Sequence, residues 1–220
     1  DVVFASFVRT AADVEEVRAA LARHEGGEGV AVFAKVETAA AVRNFEEVLA
    51  ASDGVLVARG DLAIEIPLEA VPLAQKLMVA RCNAAGKPVV VATEMMASME
   101  AASRPTRAEA SDVSNAVLDG ADMVMLSGET ASGAHPAHVV RTMGRIIQRA
   151  EAAEREMSPW APPEALAAGA GAEALLREGV AGALAASARA AGAQLALPGI
   201  TGAFARQVAR HRPRVRGRGG

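Results

Sequence analysis

Polar and charged residues stand at the ends of four aliphatic runs in the sequence, and their types suit metal-assisted chemistry on an anionic substrate. Lys35 and Glu37 lie two residues apart at the end of the second run, so in a β-strand both side chains point to the same side. Carboxylates from neighbouring strands are common ligands of Mg²⁺, which prefers oxygen and leaves room for substrate oxygens. The candidate residues are Lys35 and Glu37 after the second run, Gly60 and Asp61 after the third, Thr93 after the fourth and Ser127 after the fifth.

The lysine and the glycine of this set have distinct chemical uses. A lysine beside a bound metal would neutralise negative charge that develops on a phosphoryl group or an enolate. Gly60 and Asp61 are predicted to form a turn, and because Gly60 has no side chain a ligand can approach its backbone N–H closely. The same charged residues would also fit ordinary salt bridges at the mouth of a barrel, and spacing alone leaves both interpretations open.

Five aliphatic runs, each followed by a stretch of helical periodicity, predict the elements that position these residues. Several runs are apolar on both faces, which is typical of buried parallel strands. Five strand–helix units in about 150 residues predict a parallel α/β fold, and the spacing suits either a barrel or a doubly wound sheet. The runs cover residues 2–8, 30–36, 54–58, 88–92 and 121–126.

The helical stretches carry recognisable faces and starts. Thr10 with Asp13, and Thr106 with Glu109, have the spacing of a capping box at a helix N-terminus. Pro136 suits a first helical turn. After the third run, helical spacing predicts one apolar face made of Val71, Ala74, Leu77 and Met78.

Composition excludes several classes of protein. The chain has 220 residues, 51% of them hydrophobic, and a net charge of −3, which argues against wholesale disorder and against a polycation built for nucleic acid. No apolar run approaches the ~20 residues of a membrane-spanning helix, and no secretory signal is expected. The single cysteine, Cys82, excludes an internal disulfide and favours a reducing compartment, so we expect a cytoplasmic protein.

The most informative motifs are five strings of residues. They are 3–9 (VFASFVR), 58–67 (ARGDLAIEIP), 103–109 (SRPTRAE), 111–122 (SDVSNAVLDGAD) and 126–130 (LSGET). Together they closely resemble the pyruvate kinase family over roughly residues 1–156. A weaker similarity at residues 205–213 (ARQVARHRP) resembles part of the family's C-terminal domain.

The resemblance implies a reaction and its cofactors. A member of the family has a (β/α) barrel and transfers a phosphoryl group from phosphoenolpyruvate to ADP, giving pyruvate and ATP in glycolysis. Mg²⁺ (or Mn²⁺) and K⁺ assist the reaction. By the family pattern, Glu37 and Asp61 match the metal ligands, and Lys35 matches the lysine that stabilises the phosphoryl group and the enolate. The cradle for the substrate carboxylate is matched by Gly60, Asp61 and Thr93. Ser127 matches a hydroxyl near the proton-delivery route.

The resemblance also predicts the domain organisation. We expect a partial catalytic barrel over residues 1–156, a linker over 157–170, a partial α/β or helical C-terminal domain over 171–213 and a disordered basic tail over 214–220. The match begins at the family's fourth barrel strand. The usual K⁺ site is therefore expected in an N-terminal half that this sequence does not contain.

Three functions remain open. The first is pyruvate kinase phosphotransfer, with the isolated chain weakly active or inactive. The second is a non-catalytic fragment that associates with full-length subunits. The third is another Mg²⁺-dependent pyruvate or phosphoenolpyruvate lyase built on a barrel. The resemblance also implies homo-oligomers, with Arg104 and Arg107 as plausible contacts, and neither a membrane nor a nucleic acid as partner.

Overall fold

The computed structural model describes residues 1–157 and, beyond them, residues 180–182, 184–185 and 208. The chain divides into two compact units, one formed by residues 1–82 with 88–159 and the other by residues 83–87 with 160–220. The sheet lies in the first unit. The predicted linker, C-terminal domain and basic tail fall almost entirely outside the described residues, so they stay predictions.

The first unit is built on a five-stranded parallel sheet whose strands follow one another in chain order. A doubly wound sheet reverses its strand order at a switch point, whereas a (β/α) barrel adds each strand beside the preceding one. The observed order therefore selects the barrel-type arrangement of the two that strand spacing allowed, and the predicted α/β fold is confirmed. The strands are β1 (Val2–Ala5), β2 (Ala31–Val36), β3 (Gly54–Ala58), β4 (Val89–Ala92) and β5 (Met123–Val124).

Helices connect the strands. The Thr106–Glu109 capping box is present: the Glu109 N–H donates to Thr106 Oγ1, and the Thr106 N–H donates to Glu109 Oε2. Pro136 is the first residue of the last helix of this unit, as predicted. The helices are α1 (Ala11–Leu21), α2 (Ala39–Arg43), α3 (Phe45–Ala51), α4 (Arg59–Glu65), α5 (Val71–Ala85), α6 (Arg107–Asp119), α7 (Gly128–Ala131) and α8 (Pro136–Met157), with short 3₁₀ turns at Gly27–Gly29, Leu68–Ala70 and Ala97–Glu100.

The two faces of the sheet have different surroundings. Val57 and Val91 belong to the large buried cluster that includes Met78 of α5 and Val113 of α6, so this face is the helix-covered one. The alternate strand residues form a separate cluster made of Phe33, Leu56, Ala58, Val90 and Ala92, with Ala31 packed against it. Lys35 has the same parity as Phe33 in β2, so its side chain stands on the face opposite the helices.

Local structure differs from the sequence prediction at three places. β1 ends at Ala5 rather than near residue 8, because Phe7 has a left-handed backbone with φ of 56°. The Gly60–Asp61 segment, predicted as a turn, is the first turn of α4, which buries Leu62. Leu77, assigned to the apolar face of α5, is 52% exposed, while Met78 beside it is buried.

Candidate active site

Lys35 and Glu37 form a direct ion pair at the end of β2. Nζ of Lys35 lies 2.7 Å from Oε1 of Glu37. The same ammonium group donates a hydrogen bond of 2.9 Å to Oγ of Ser6, which follows β1. The Glu37 side chain is 2% exposed and that of Lys35 is 26% exposed, so a buried carboxylate carries a partly solvated counter-ion. The structure thus joins two of the predicted residues and adds Ser6 to them.

The second oxygen of Glu37 fixes the backbone after β1. Oε2 of Glu37 accepts a 2.6 Å hydrogen bond from the N–H of Phe7. Phe7 has a φ of 56°, a region that bulky residues rarely occupy without a restraint. Both carboxylate oxygens therefore have a partner, one a charged side chain and the other a strained main-chain amide.

Gly60 and Asp61 follow β3 directly. Both belong to the first turn of α4, and Asp61 is exposed. Gly60 packs against the side chain of Thr93, which follows β4. The structure therefore brings Gly60 and Thr93 into contact. Asp61 follows Gly60 in the chain and stands at the same carboxyl edge of the parallel sheet as Glu37.

Thr93 lies in a turn with unusual backbone geometry. Thr93 and Glu94 both have positive φ, 77° and 54° respectively. Arg59, at the start of α4, donates to the carbonyl oxygen of Thr93 at 2.6 Å through Nη2 and to that of Ala92 at 3.2 Å through Nε. The Arg59 guanidinium is itself held by an ion pair of 2.7 Å to Asp112 of α6. A charged network therefore fixes the conformation that presents Thr93.

Ser127 is the exposed residue immediately before α7. Its backbone N–H donates a 2.7 Å hydrogen bond to Oε2 of Glu129, whose side chain is buried. Oε1 of Glu129 accepts the N–H of Met96 at 3.0 Å. The loop after β5 is thus bonded to the loop after β4, and Ser127 lies where these two segments meet.

A cavity of about 450 Å³ lies beside this edge, a size typical of small-molecule pockets. Arg59, Gly60 and Thr93 contribute to its wall, together with residues of α5 and α6, among them Lys76 and Asp119, which form an ion pair. Neither Lys35 nor Glu37 lines this cavity. The cavity is therefore not the space above the Lys35–Glu37 pair, and we place the candidate site at the open strand ends instead.

Glu37 and Asp61, the two predicted metal ligands, are of the donor type that Mg²⁺ prefers. Both are carboxylates at the ends of neighbouring strands, and Mg²⁺ is commonly held by one or two carboxylates plus substrate oxygens. Within the described residues, no group of three or more His, Cys, Asp or Glu side chains is close enough to hold a metal ion. A site built on these two residues would take its other ligands from water, from substrate or from groups beyond the described residues.

Comparison with known proteins resolves the family. A family model described as "Pyruvate kinase, barrel domain" matches residues 1–140. The chain belongs to the pyruvate kinase family. It is 59% identical over 153 residues to pyruvate kinase PKLR of Homo sapiens and 54% identical over 153 residues to pyruvate kinase of Geobacillus stearothermophilus. It is 52% identical over 156 residues to pyruvate kinase 1 of Trypanosoma brucei brucei.

The similarity covers most of this chain and a minor part of its relatives. The matched segments are 70% of this chain for the human and Geobacillus proteins and 71% for the trypanosome protein. They span 26% of the first two pyruvate kinases and 31% of the third. The five strings that closely resembled pyruvate kinase lie within residues 1–140, which the family model matches, and the weaker similarity at residues 205–213 lies outside them.

Three residues that contribute to the site were not singled out from the sequence. Ser6, Arg59 and Glu129 each lie in a string that carried the family resemblance, directly beside or near a predicted site residue. Their position within those strings was the available signal. Their roles depend on tertiary hydrogen bonds to Lys35, to the turn at Thr93 and to the Ser127 amide, which no sequence spacing reveals.

Proposed function

We propose that the chain supplies part of a pyruvate kinase active site, for phosphoryl transfer from phosphoenolpyruvate to ADP. The observation that carries this proposal is the Lys35–Glu37 ion pair of 2.7 Å at the carboxyl end of a parallel sheet in a member of this family. Active sites of (β/α) barrels lie at that end of the strands. Phosphoryl transfer depends mainly on positioning and charge neutralisation, which is what such a pair provides.

The proposed roles follow the chemistry of each side chain. When bound, Mg²⁺ or Mn²⁺ neutralises charge on the phosphoryl oxygens, and Glu37 and Asp61 would hold it. The O–P bond to the enol oxygen breaks while an O–P bond to the terminal phosphate of ADP forms, and the ammonium of Lys35 stabilises the negative oxygens on both sides. The Gly60 amide and the Thr93 hydroxyl bind the substrate carboxylate. Ser127 takes part in delivering the proton that converts the enolate to pyruvate.

The second cation, the oligomeric state and the location are proposed from the family and from composition. We propose K⁺ as a second cation and self-association as in an oligomeric enzyme. Cys82 is the single cysteine of the sequence and its side chain is buried, and we propose the cytoplasm as the location. No helix in the described residues is long and apolar enough to cross a membrane.

A direct binding measurement tests the site. We would titrate the purified chain with Mn²⁺ alone and then with oxalate, a planar dicarboxylate that resembles the enolate of pyruvate, and follow thermal melting in parallel. Binding that raises the melting temperature supports the site by mass action. Glu37→Gln is expected to weaken Mn²⁺ binding, and Glu47→Gln, an exposed carboxylate on α3, serves as the control with the same change of charge. Unchanged Mn²⁺ affinity in Glu37→Gln would rule out the proposed ligand.

One structural observation favours the second function, association with full-length subunits. β5 pairs only with β4 in the described part of the chain, and a groove of about 370 Å³ runs beside it. Val124 and Leu126 line the groove from the β5 segment, and Met143 and Ile147 line it from α8. An apolar surface at a sheet edge suits pairing with another part of a barrel. Co-elution with a full-length pyruvate kinase subunit on size-exclusion chromatography would support this function, and separate elution would exclude it.

A further inference from the structure

The turn after β4 holds Thr93 in a conformation that needs external support. Two consecutive non-glycine residues, Thr93 and Glu94, have positive φ. Such a backbone conformation is costly for a non-glycine residue and persists only where the surrounding structure imposes it. The turn therefore cannot be explained by its own sequence, and the side chains that contact it decide its shape.

Two buried or half-buried charges restrain this turn from opposite ends. Arg59 donates to the carbonyl oxygen of Thr93, at the start of the turn. Glu129 accepts the N–H of Met96, at its end. The cationic Arg59 meets a carbonyl oxygen, which carries partial negative charge, and the anionic Glu129 meets an N–H group, which carries partial positive charge. Each side chain therefore has the charge that suits the peptide group it contacts.

Glu129 also fixes a second segment. Its other oxygen accepts the N–H of Ser127, so one carboxylate bonds the backbone on both sides. The side chain is 2% exposed, and among the described residues its hydrogen-bond partners are these two amides. Burial of a carboxylate is costly, and here the charge is offset by main-chain dipoles rather than by a cation in direct contact.

We infer that Glu129 is a positioning residue that sets Thr93 and Ser127 relative to each other by bonding the loop after β4 to the loop after β5. The inference rests on the proposed function, because it concerns the two hydroxyl-bearing residues assigned there to the substrate. Within the described part of the chain, the hydrogen bonds of Glu129 go to Met96 and Ser127, and not to Lys35 or to the proposed metal ligands. Its loss should therefore affect binding of the carboxylate-bearing ligand and spare the metal.

Glu129→Gln is the variant that tests this role. The glutamine amide keeps the shape of the side chain but has only one acceptor oxygen. The N–H groups of Met96 and Ser127 each bond to one oxygen of Glu129, so one of the two hydrogen bonds is lost in the variant. We expect Mn²⁺ affinity in the absence of oxalate to equal that of the wild type. Oxalate affinity in the presence of Mn²⁺ should fall roughly tenfold, the size of effect seen when a residue that orients direct ligands is changed. Glu47→Gln should change neither affinity.

Backbone spectroscopy provides a readout that does not depend on the ligand. The amide proton resonances of Met96 and Ser127 should move in Glu129→Gln, since a carboxylate acceptor strengthens the hydrogen bond to each. The Thr93 amide should move with them, while amides in β1 and β2 stay in place. If Glu129→Gln fails to fold, Glu129→Asp, which keeps the charge on a shorter side chain, carries the same comparison.

The outcomes separate this inference from the proposed function. Equal oxalate affinity in wild type and Glu129→Gln overturns the inference alone. A parallel loss of Mn²⁺ and oxalate affinity also overturns it, because that result shows a general structural role. A wild-type chain that binds no Mn²⁺ overturns the proposed function and the inference together, whereas selective loss of oxalate affinity supports both.

Discussion

Gly60 and Thr93 are in such close contact that a β-carbon on Gly60 would stand 2.6 Å from Cγ2 of Thr93. These residues follow adjacent strands, β3 and β4, and the contact leaves the backbone at Gly60 without room for any side chain. The absence of a Cβ at this position is therefore a packing requirement, independent of the ligand-binding role proposed for Gly60. The contact partner is a short β-branched side chain whose backbone is already restrained, so it cannot move away cheaply.

Gly60→Ala should destabilise the protein by about 1–3 kcal/mol, the usual cost of forcing a methyl group into a filled space. Thr93→Ser removes the clashing Cγ2 and keeps the hydroxyl, so the Gly60→Ala/Thr93→Ser double variant should regain most of that loss. Urea denaturation of the four proteins of this cycle measures the coupling. Additive effects of the two substitutions would contradict the contact.

Lys35→Met should leave the buried Glu37 carboxylate without its cation. Removing one partner of a buried ion pair costs about 3–5 kcal/mol, and because Lys35 is partly solvated we expect about 2–3 kcal/mol. In the Lys35→Met/Glu37→Gln double variant the neutral amide no longer needs a counter-ion, so part of the stability should return. Denaturant unfolding at neutral pH tests this, and a Lys35→Met protein as stable as the wild type would show that the pair is not formed.

Arg59→Lys should destabilise the turn at Thr93, although the charge is kept. Lysine cannot reproduce the planar fork that reaches two carbonyl oxygens and Asp112 together, so we expect a loss of roughly 1–3 kcal/mol. The matched control is Arg81→Lys, because Arg81 pairs with Glu46 on an exposed surface and such pairs contribute roughly 0–1 kcal/mol. Equal effects of the two substitutions on the unfolding free energy would contradict the role of Arg59.

Glu109 should make stability depend on acid pH. Burial raises the pKa of Glu109, but hydrogen bonds from Ser98 and Thr106 outweigh it, so the pKa lies below its ordinary value of 4.5. A carboxyl whose pKa is lowered by folding stabilises the folded state above its unfolded pKa, and that stabilisation is lost as the pH falls through the folded pKa. The contribution should therefore be complete above about pH 5 and disappear at more acid pH.

Glu109→Gln measures that contribution. At pH 7 the variant should be less stable than the wild type by about 1–2 kcal/mol, because a capping box and the bonds to Ser98 are weakened. The difference should shrink in unfolding experiments at pH 3. Glu47→Gln, on the exposed face of α3, should show a small difference at both pH values. A Glu109→Gln deficit that is the same at pH 3 and pH 7 would refute the assignment.

The sequence predicted those parts of the fold that depend on local patterns. Aliphatic runs located all five strands, because strands buried on both faces need continuous apolar residues. The capping box at Thr106 was also predictable, since it is a spacing rule. Strand order could not be predicted, because the same spacing fits both a barrel and a doubly wound sheet. The observed pairing of β1 through β5 in chain order decides between these two arrangements.

The contacts among the predicted site residues could be predicted only in part. Lys35 and Glu37 could be placed on one side of a strand from their parity, and the structure shows them in contact. The left-handed backbone of Phe7 and Thr93 had no local signal, because neither residue favours that region and distant hydrogen bonds impose it. For the same reason Arg59 and Glu129, which supply such bonds, were recognisable only in three dimensions.

The strand order has a consequence for how the chain acquires its structure. Each strand of the sheet pairs with the one that precedes it in the chain, from β1 to β5. A polypeptide that leaves the ribosome N-terminus first can therefore add every new strand–helix unit to a sheet edge that already exists. Each loop closed in this way spans a single strand–helix unit. None of the four strand pairings therefore has to wait for a distant segment to be synthesised. The growing edge, which carries unpaired N–H and C=O groups at every stage, is then the surface that needs protection during synthesis.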